Sequence, residues 1–114
     1  MTITLDDLLG INNYICLDCN QHSVVINEAN LLSALGTQQW YSNDCLRAAA
    51  LIRSLVIGHG FQDGNKRTAA AAGQGICEYE CSEDEVIECI LDIAKGQLRE
   101  PEMIAKILYP ISHK

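Results

Sequence analysis

Apolar residues recur three and four positions apart along most of the chain, which is the spacing of helices that bury one face. Residues that can cap a helix precede most of these stretches, and glycine or proline follows them. The pattern predicts about six helices. The first covers residues 5–16, and the others run from Asn27 to Gly36, from Ser42 or Asn43 to Gly58, from Gly64 or Asn65 through the alanine-rich stretch 68–75, from Ser82 to Gly96, and from Pro101 to Pro110.

The segments between these helices are short. Val24–Ile26 is an apolar run that can be extended, and Thr37–Ser42 is a connector in which Trp40 precedes Tyr41. No stretch shows the alternation of polar and apolar residues that a half-buried strand requires. The third helix is apolar at nearly every position and is predicted to be the buried centre of the fold. We therefore predict an all-α, bundle-like single domain that spans residues 1–114.

The charge of the chain narrows the choice of partners. Its 15 acidic and 8 basic residues give a formal net charge of −7, which argues against nucleic acid as the main partner because phosphate backbones attract clustered Lys and Arg. The adjacent cations Lys66 and Arg67 instead suggest a local contact with an anion. No N-terminal stretch resembles a signal peptide, and no apolar run approaches the roughly 20 residues of a membrane helix. A soluble, cytoplasmic protein is expected.

Six cysteines allow two interpretations. Cys16 with Cys19, and Cys77 with Cys81, form two pairs that offer the four ligands of a tetrahedral zinc site. The long gap between the pairs differs from the spacing of compact zinc modules, and Cys77 and Cys81 have the spacing of neighbours on a helix. We therefore favour the second interpretation, in which the cysteines are small buried hydrophobic residues in a reducing compartment.

The polar segment His59–Thr68 separates the third and fourth predicted helices and contains most of the candidate chemistry. The imidazole of His59 is a side chain that can accept a proton from a hydroxyl group. Asp63 follows four residues later, near enough around a tight loop to face the same cavity. A carboxylate beside nucleotide phosphates usually binds Mg²⁺. This pair predicts proton transfer and metal binding in one loop.

The second half of the loop is suited to phosphate. Gly64 allows the backbone to approach an anion closely, and Asn65 offers an amide at the start of a helix, where the dipole favours negative charge. Lys66 and Arg67 supply positive charge, and an arginine can bind phosphate bidentately. Phe61 is the predicted apolar anchor of the loop. Each residue alone has an ordinary structural explanation, but their combination in one loop favours a phosphate-transferring or nucleotide-handling enzyme.

The sequence His59-Gly60-Phe61-Gln62-Asp63-Gly64-Asn65-Lys66-Arg67-Thr68-Ala69 closely resembles the signature of the Fic/Doc superfamily, in its Doc (death-on-curing) toxin branch. Weaker similarity extends over nearly the whole chain, in Thr4–Leu9, Asn30–Leu35, Ala94–Gly96 and Met103–Ala105. The resemblance implies the all-helical Fido fold. It also implies ATP and Mg²⁺ as cofactors and the transfer of part of ATP to a protein hydroxyl.

Two positions distinguish the branches of this superfamily. The Fic pattern, found in enzymes that transfer AMP, has Gly where this chain has Lys66 and a second Arg where it has Ala70. Doc proteins resemble Fic proteins in fold but are kinases that phosphorylate a threonine of elongation factor Tu and stop translation. The resemblance thus favours a Doc-like kinase toxin. An AMP transferase and a non-catalytic binding protein with this fold are the alternatives.

The resemblance also implies roles for individual residues. His59 would be the general base, Asp63 would orient the site or bind Mg²⁺, and Phe61 would anchor the loop. Phosphate contacts would come from Gly64, Asn65, Lys66 and the catalytic Arg67. The connector Thr37–Ser42 would lie where the family has its target-docking flap, so Trp40 and Tyr41 are candidates either for that contact or for covering the core. No self-inhibiting [Ser/Thr]-x-x-x-Glu-[Gly/Asn] helix is found, which implies an antitoxin in trans.

Overall fold

The structure is a computed structural model that describes residues 2–113, and six α-helices make up most of it. The predicted number of helices and the all-α class are confirmed. One 3₁₀ turn, Thr37–Trp40, follows the second helix. The six helices are α1 (Leu5–Asp18), α2 (Glu28–Gly36), α3 (Asp44–Gly58), α4 (Asn65–Ile76), α5 (Glu83–Ala94) and α6 (Pro101–Leu108).

Local sequence explains where most of these helices begin. In α1 and α5 the capping side chain and an acidic residue three positions later satisfy each other's backbone N–H groups, so each helix starts with a complete capping box. A proline occupies the first turn of α6, where its missing N–H costs nothing. The side chains that accept a backbone N–H at helix starts are Thr4, Asn27, Asn43 and Ser82.

Helix α3 forms the centre of the fold, as its apolar sequence predicts. It contacts every other helix except α1. Several of its side chains have no exposed surface, including Ala48, Ala49, Leu51 and Ile52. Helix α4 packs most extensively against it. Gly73 makes this close approach possible, because a Cβ there would overlap Ile52 and the Tyr79 hydroxyl. Helices α5 and α6 complete the core on the other side.

One local prediction differs from the structure, and one connector is given its detailed form. Cys77 and Cys81 are not neighbours on a helix, because α4 ends at Ile76 and both residues lie in the turn before α5. The connector Thr37–Ser42 is mostly a 3₁₀ turn, held by Gln38, whose side-chain amide exchanges hydrogen bonds of 2.8 and 2.9 Å with the backbone of Ile3. The sequence signal for this turn is weak because both contacts are long-range.

The six thiols are free, and their surroundings fit the interpretation as small apolar side chains best for Cys16, Cys45 and Cys89, which are buried. Burial raises the pKa of Cys45 to about 11 and that of Cys89 to about 12. Cys19 is exposed. Among residues 2–113, no group of three or more His, Cys, Asp or Glu side chains is placed to hold a metal ion, so the zinc alternative finds no site there.

No helix in the described part of the chain is long and apolar enough to cross a membrane.

Candidate functional site

His59 follows the last residue of α3 and has a left-handed backbone, with φ 51° and ψ 50°. This conformation is uncommon for a residue with a side chain and is found at functional sites more often than elsewhere. It turns the chain sharply out of the helix. The imidazole is exposed, and within residues 2–113 it has no hydrogen-bonding partner. It is therefore free to meet a substrate.

The loop after His59 is held on one side by a short extended segment. Val25 and Phe61 form an isolated antiparallel bridge, in which the Ile26 N–H donates to the Gly60 carbonyl at 2.8 Å and the Gln62 N–H donates to the Val24 carbonyl at 2.8 Å. Residues 24–26 are thus extended, as the sequence allowed. The Phe61 side chain is 1 % exposed and lies in the core, which fixes the loop to the body of the protein.

Asn65 clamps the loop from the other side. Its Oδ1 accepts the Phe61 N–H at 3.0 Å, and its Nδ2 donates to the Phe61 carbonyl at 2.7 Å. In an antiparallel bridge of this kind, the N–H and C=O of Phe61 point away from the partner strand, so Asn65 supplies both of their hydrogen bonds. Asn65 is buried. Its side chain serves the loop itself, and its predicted contact with phosphate stays a prediction.

A residue that the sequence analysis did not single out, Asn12, ties the loop to α1. Its fully buried Nδ2 donates to the Asp63 carbonyl at 2.9 Å and to Thr68 Oγ1 at 3.1 Å. Gly64 comes close to this side chain, with φ 77° and only 3.1 Å between a hypothetical Cβ and Asn12 Nδ2. Glycine is therefore required here by backbone conformation and by the approach of α1. The sequence signal for this role of Asn12 was a polar residue on the inner face of a helix.

A cavity of about 570 Å³ opens beside His59, between α3, α4 and the turn that follows α5. Four of the chain's eight Lys and Arg residues line it, and none of its 15 acidic residues does. Only one of the four cations, Lys66, belongs to the loop signature that the sequence analysis identified. The other three, which that analysis did not identify as site residues, are Arg53, Lys95 and Arg99.

Two predicted catalytic residues are not in the lining of this cavity. Arg67 points toward the end of α1, where its Nη1 donates to Cys19 Sγ at 2.8 Å and its Nη2 is 3.9 Å from Asp18 Oδ2. It lines a separate, largely apolar groove between α1 and α4. Side chains of consecutive helix residues point about 100° apart, so Lys66 lines the cavity beside His59 whereas Arg67 lines the groove beside α1. Asp63 is partly buried, and its backbone carbonyl rather than its carboxylate holds the loop.

Trp40 is 73 % exposed, so its alternative role in covering the core is wrong, whereas Tyr41 is partly buried. Trp40 lines a second cavity of about 730 Å³, which shares Arg53 and Ile57 with the first. The segment that pairs with the signature loop is residues 24–26, and the docking role expected for Thr37–Ser42 stays a prediction.

The sequence model of the Fic/DOC family matches residues 3–77, which include α1, the extended segment, α3, the loop and α4. The chain belongs to the Fic/DOC family. Its all-α architecture is consistent with the Fido fold of that family. No curated protein and no solved structure matches the chain. The match ends before α5, so Lys95 and Arg99 lie outside the part of this Fic/DOC protein that the family model describes.

The residues present fit a polyphosphate substrate and, with it, a magnesium ion. Four cations in one cavity complement the negative charge of a phosphate chain. Mg²⁺ is usually held by one or two carboxylates together with substrate phosphates, not by a complete protein cage. Asp63 is the carboxylate that the loop offers, but it is not among the residues that line the cavity, so its predicted role as a Mg²⁺ ligand stays a prediction. Bound Mg²⁺ would neutralise charge on the phosphates.

Proposed function

We propose that this Fic/DOC-family protein is a Doc-like toxin that phosphorylates a serine or threonine hydroxyl of a translation factor, with ATP as the donor. The observation that carries the proposal is the cavity beside His59, whose lining has four cations and no acidic residue in a protein of net charge −7. An anionic substrate is the ligand that such a field attracts. The family membership supports a transferase in general.

The chemistry follows from the placement of His59 at the rim of the basic cavity. The acceptor hydroxyl oxygen attacks the terminal phosphorus of ATP while the bond from that phosphorus to the bridging oxygen breaks. His59 accepts the hydroxyl proton as the general base. The cavity cations stabilise the charge on the phosphate oxygens throughout the transfer. A phosphorylated protein and ADP are the products.

The extended segment 24–26 offers a place for the target protein. Its inner edge pairs with the loop, and the backbone N–H and C=O of Val25 point to the outside. Its side chains Val24, Val25 and Ile26 are each at least 39 % exposed. A target strand can add to such an edge through main-chain hydrogen bonds, which would present a hydroxyl close to His59. Trp40, which is 73 % exposed, and Tyr41 are the candidates for additional contact with the target.

The test is to incubate the purified chain with ATP, Mg²⁺ and elongation factor Tu, the target that the Doc resemblance suggests, and to measure the intact mass of the factor. A gain of about 80 Da, one phosphoryl group on a hydroxyl, is the expected result. His59→Ala should abolish the gain. Lys106→Ala, which changes an exposed cation on α6 outside the cavity, should leave it unchanged and serves as the matched control.

Two other functions remain as outcomes of that experiment. A gain of about 329 Da, one AMP unit, would replace the kinase by an AMP transferase. The Arg67 side chain on α4 points toward the end of α1, away from the His59 cavity, and this favours a non-catalytic binding protein instead. In that case no mass would be gained, and the His59→Ala variant would be as toxic to cells as the parent chain.

A toxin of this kind acts in the cytoplasm and needs an inhibitor. We expect an antitoxin in trans, because the sequence contains no self-inhibiting helix of the Fic type. Expression of the chain alone should arrest growth, and His59→Ala should relieve the arrest. Growth arrest that survives this substitution would argue against a catalytic mechanism.

A further inference from the structure

Arg53 lies on α3, six residues before His59, at the point where the two cavities meet. It lines both the basic cavity and the cavity beside Trp40. Its Nε is buried and has no hydrogen-bond partner. No acidic side chain of residues 2–113 forms an ion pair with it.

The buried, unpartnered Nε of this partly buried guanidinium requires an explanation. Burying a polar nitrogen without a hydrogen bond is costly. Lys66, Lys95 and Arg99 line the same cavity, so the field from the neighbouring side chains is repulsive. Apolar packing of the stem alone would be achieved equally well by an uncharged side chain. An anion that enters the cavity would relieve both the repulsion and the missing hydrogen bond.

We infer that Arg53 is an anchor for the phosphate chain of the nucleotide substrate, outside the loop signature. The inference rests on the proposed function, and it names a phosphate contact that the signature residues do not supply. Arg67 is turned to α1 and Ala70 has no charge, so two positions that could hold phosphate do not serve this cavity. The planar guanidinium of Arg53 can bind two phosphate oxygens at once.

Lys95 and Arg99 complete the anchor from the opposite wall. Both belong to the turn between α5 and α6, where the Arg99 Nε donates to the Gly96 carbonyl at 3.0 Å. That contact fixes the base of the Arg99 guanidinium and leaves its other nitrogens available. A phosphate chain between α3 and this turn would meet cations on both sides. Arg53 is the member of this set that is both partly buried and without a partner.

The test measures binding rather than transfer. Inorganic tripolyphosphate, which has neither base nor ribose, is titrated by calorimetry into the full chain, Arg53→Met and Lys106→Met. Arg53→Met keeps most of the apolar stem, and Lys106→Met removes the same charge from an exposed site on α6. We expect Arg53→Met to weaken binding about 10-fold or more, since a charge-assisted hydrogen bond contributes that much. Lys106→Met should change binding less than about 2-fold.

ATP is titrated in parallel to identify the ligand. An equal loss for ATP and tripolyphosphate in Arg53→Met supports the assignment, whereas a loss confined to tripolyphosphate overturns it for a nucleotide. Unchanged tripolyphosphate binding in a folded Arg53→Met variant, or no binding to the parent chain, also overturns it. If Arg53→Met does not fold, Arg53→Lys replaces it, and undiminished binding there has the same meaning because lysine cannot bind bidentately.

The outcome is independent of the kinase assay. No target protein is present in these titrations, so a failure to phosphorylate elongation factor Tu would count against the proposed function and leave an Arg53-dependent binding constant intact. The reverse result, phosphate transfer with no dependence of binding on Arg53, would count against this inference alone.

Discussion

Replacing Asn65 by alanine tests whether the signature loop is held from inside. The substitution removes both hydrogen bonds of the Phe61 backbone, the 3.0 Å bond from its N–H and the 2.7 Å bond to its carbonyl. Phe61 is 1 % exposed and Asn65 is 7 % exposed, so water cannot easily replace either partner. Each buried backbone group that loses its partner costs about 1–3 kcal/mol.

Two such groups give an expected loss of about 3 kcal/mol, after some relaxation of the loop toward solvent. That is a large fraction of the roughly 5–15 kcal/mol that stabilises a small domain. Asn65→Asp should not restore the loss, because a carboxylate still accepts the Phe61 N–H but places a charged oxygen against the Phe61 carbonyl in a buried site. A residue whose only task is to touch phosphate would show neither loss.

Urea unfolding followed by far-UV circular dichroism is the suitable assay. The signal comes from the helices, whereas Trp40 is already 73 % exposed and would report unfolding poorly. With a denaturant dependence of about 1.5 kcal/mol per molar urea, the midpoint for Asn65→Ala should fall by about 2 M. Asn13→Ala is the matched control, since Asn13 is exposed on α1 and its change should stay within about 0.5 kcal/mol.

Amide hydrogen exchange adds a local measurement. The Gln62 N–H donates to the Val24 carbonyl across the bridge, so loosening of the loop should speed its exchange in Asn65→Ala more than exchange in the middle of α3. If Asn65→Ala is as stable as Asn13→Ala and Gln62 exchanges no faster, the clamp does not hold the loop and the structural role assigned to Asn65 is wrong.

Three further substitution or labelling experiments test other parts of the structure. His59→Gly should abolish phosphate transfer. It should also stabilise the fold by about 1 kcal/mol in urea unfolding, because glycine adopts φ 51° without strain. A less stable variant would contradict the backbone strain assigned to His59. Gly60→Ala should destabilise the fold by about 2 kcal/mol, because its Cβ would overlap Leu31. Gly10→Ala is the control: a Cβ there meets nothing within 4 Å, and alanine should stabilise α1 by about 1 kcal/mol. Equal changes in stability for the two variants would refute the close packing of Gly60 against Leu31. Iodoacetamide at pH 7.5, followed by peptide mass spectrometry, should label the exposed Cys19 first. Cys45 and Cys89, which are buried and have a raised pKa, should be labelled last, and rapid labelling of either would contradict its burial.

The order of helices was accessible from sequence because its determinants are local. The capping box of α5, for example, joins Ser82 to Glu85 three residues later, and the apolar spacing of α3 needs no knowledge of its neighbours. The same holds for the position of the polar loop between α3 and α4. Its family resemblance also depends on consecutive residues, and the match to the Fic/DOC family agrees with it.

The contacts that shape the loop are of a different kind. Asn12 reaches the Asp63 carbonyl across 51 positions of sequence, and no periodicity marks it as different from other polar residues of α1. Gly60 is a second example, because the pattern of neighbouring residues assigned it no role. Only the position of Leu31 against it shows that a larger residue would not fit.

By itself, the sequence determined the all-α class, the helix starts and the loop that contains His59. Tertiary structure alone decided which cations share a cavity with that histidine. Arg53, Lys66 and Arg99 come from three separate parts of the chain, while Arg67, the immediate neighbour of Lys66, faces α1. The physical reason is range: caps and periodicity act over three or four residues, whereas an anion site depends on how packed helices bring distant charges together.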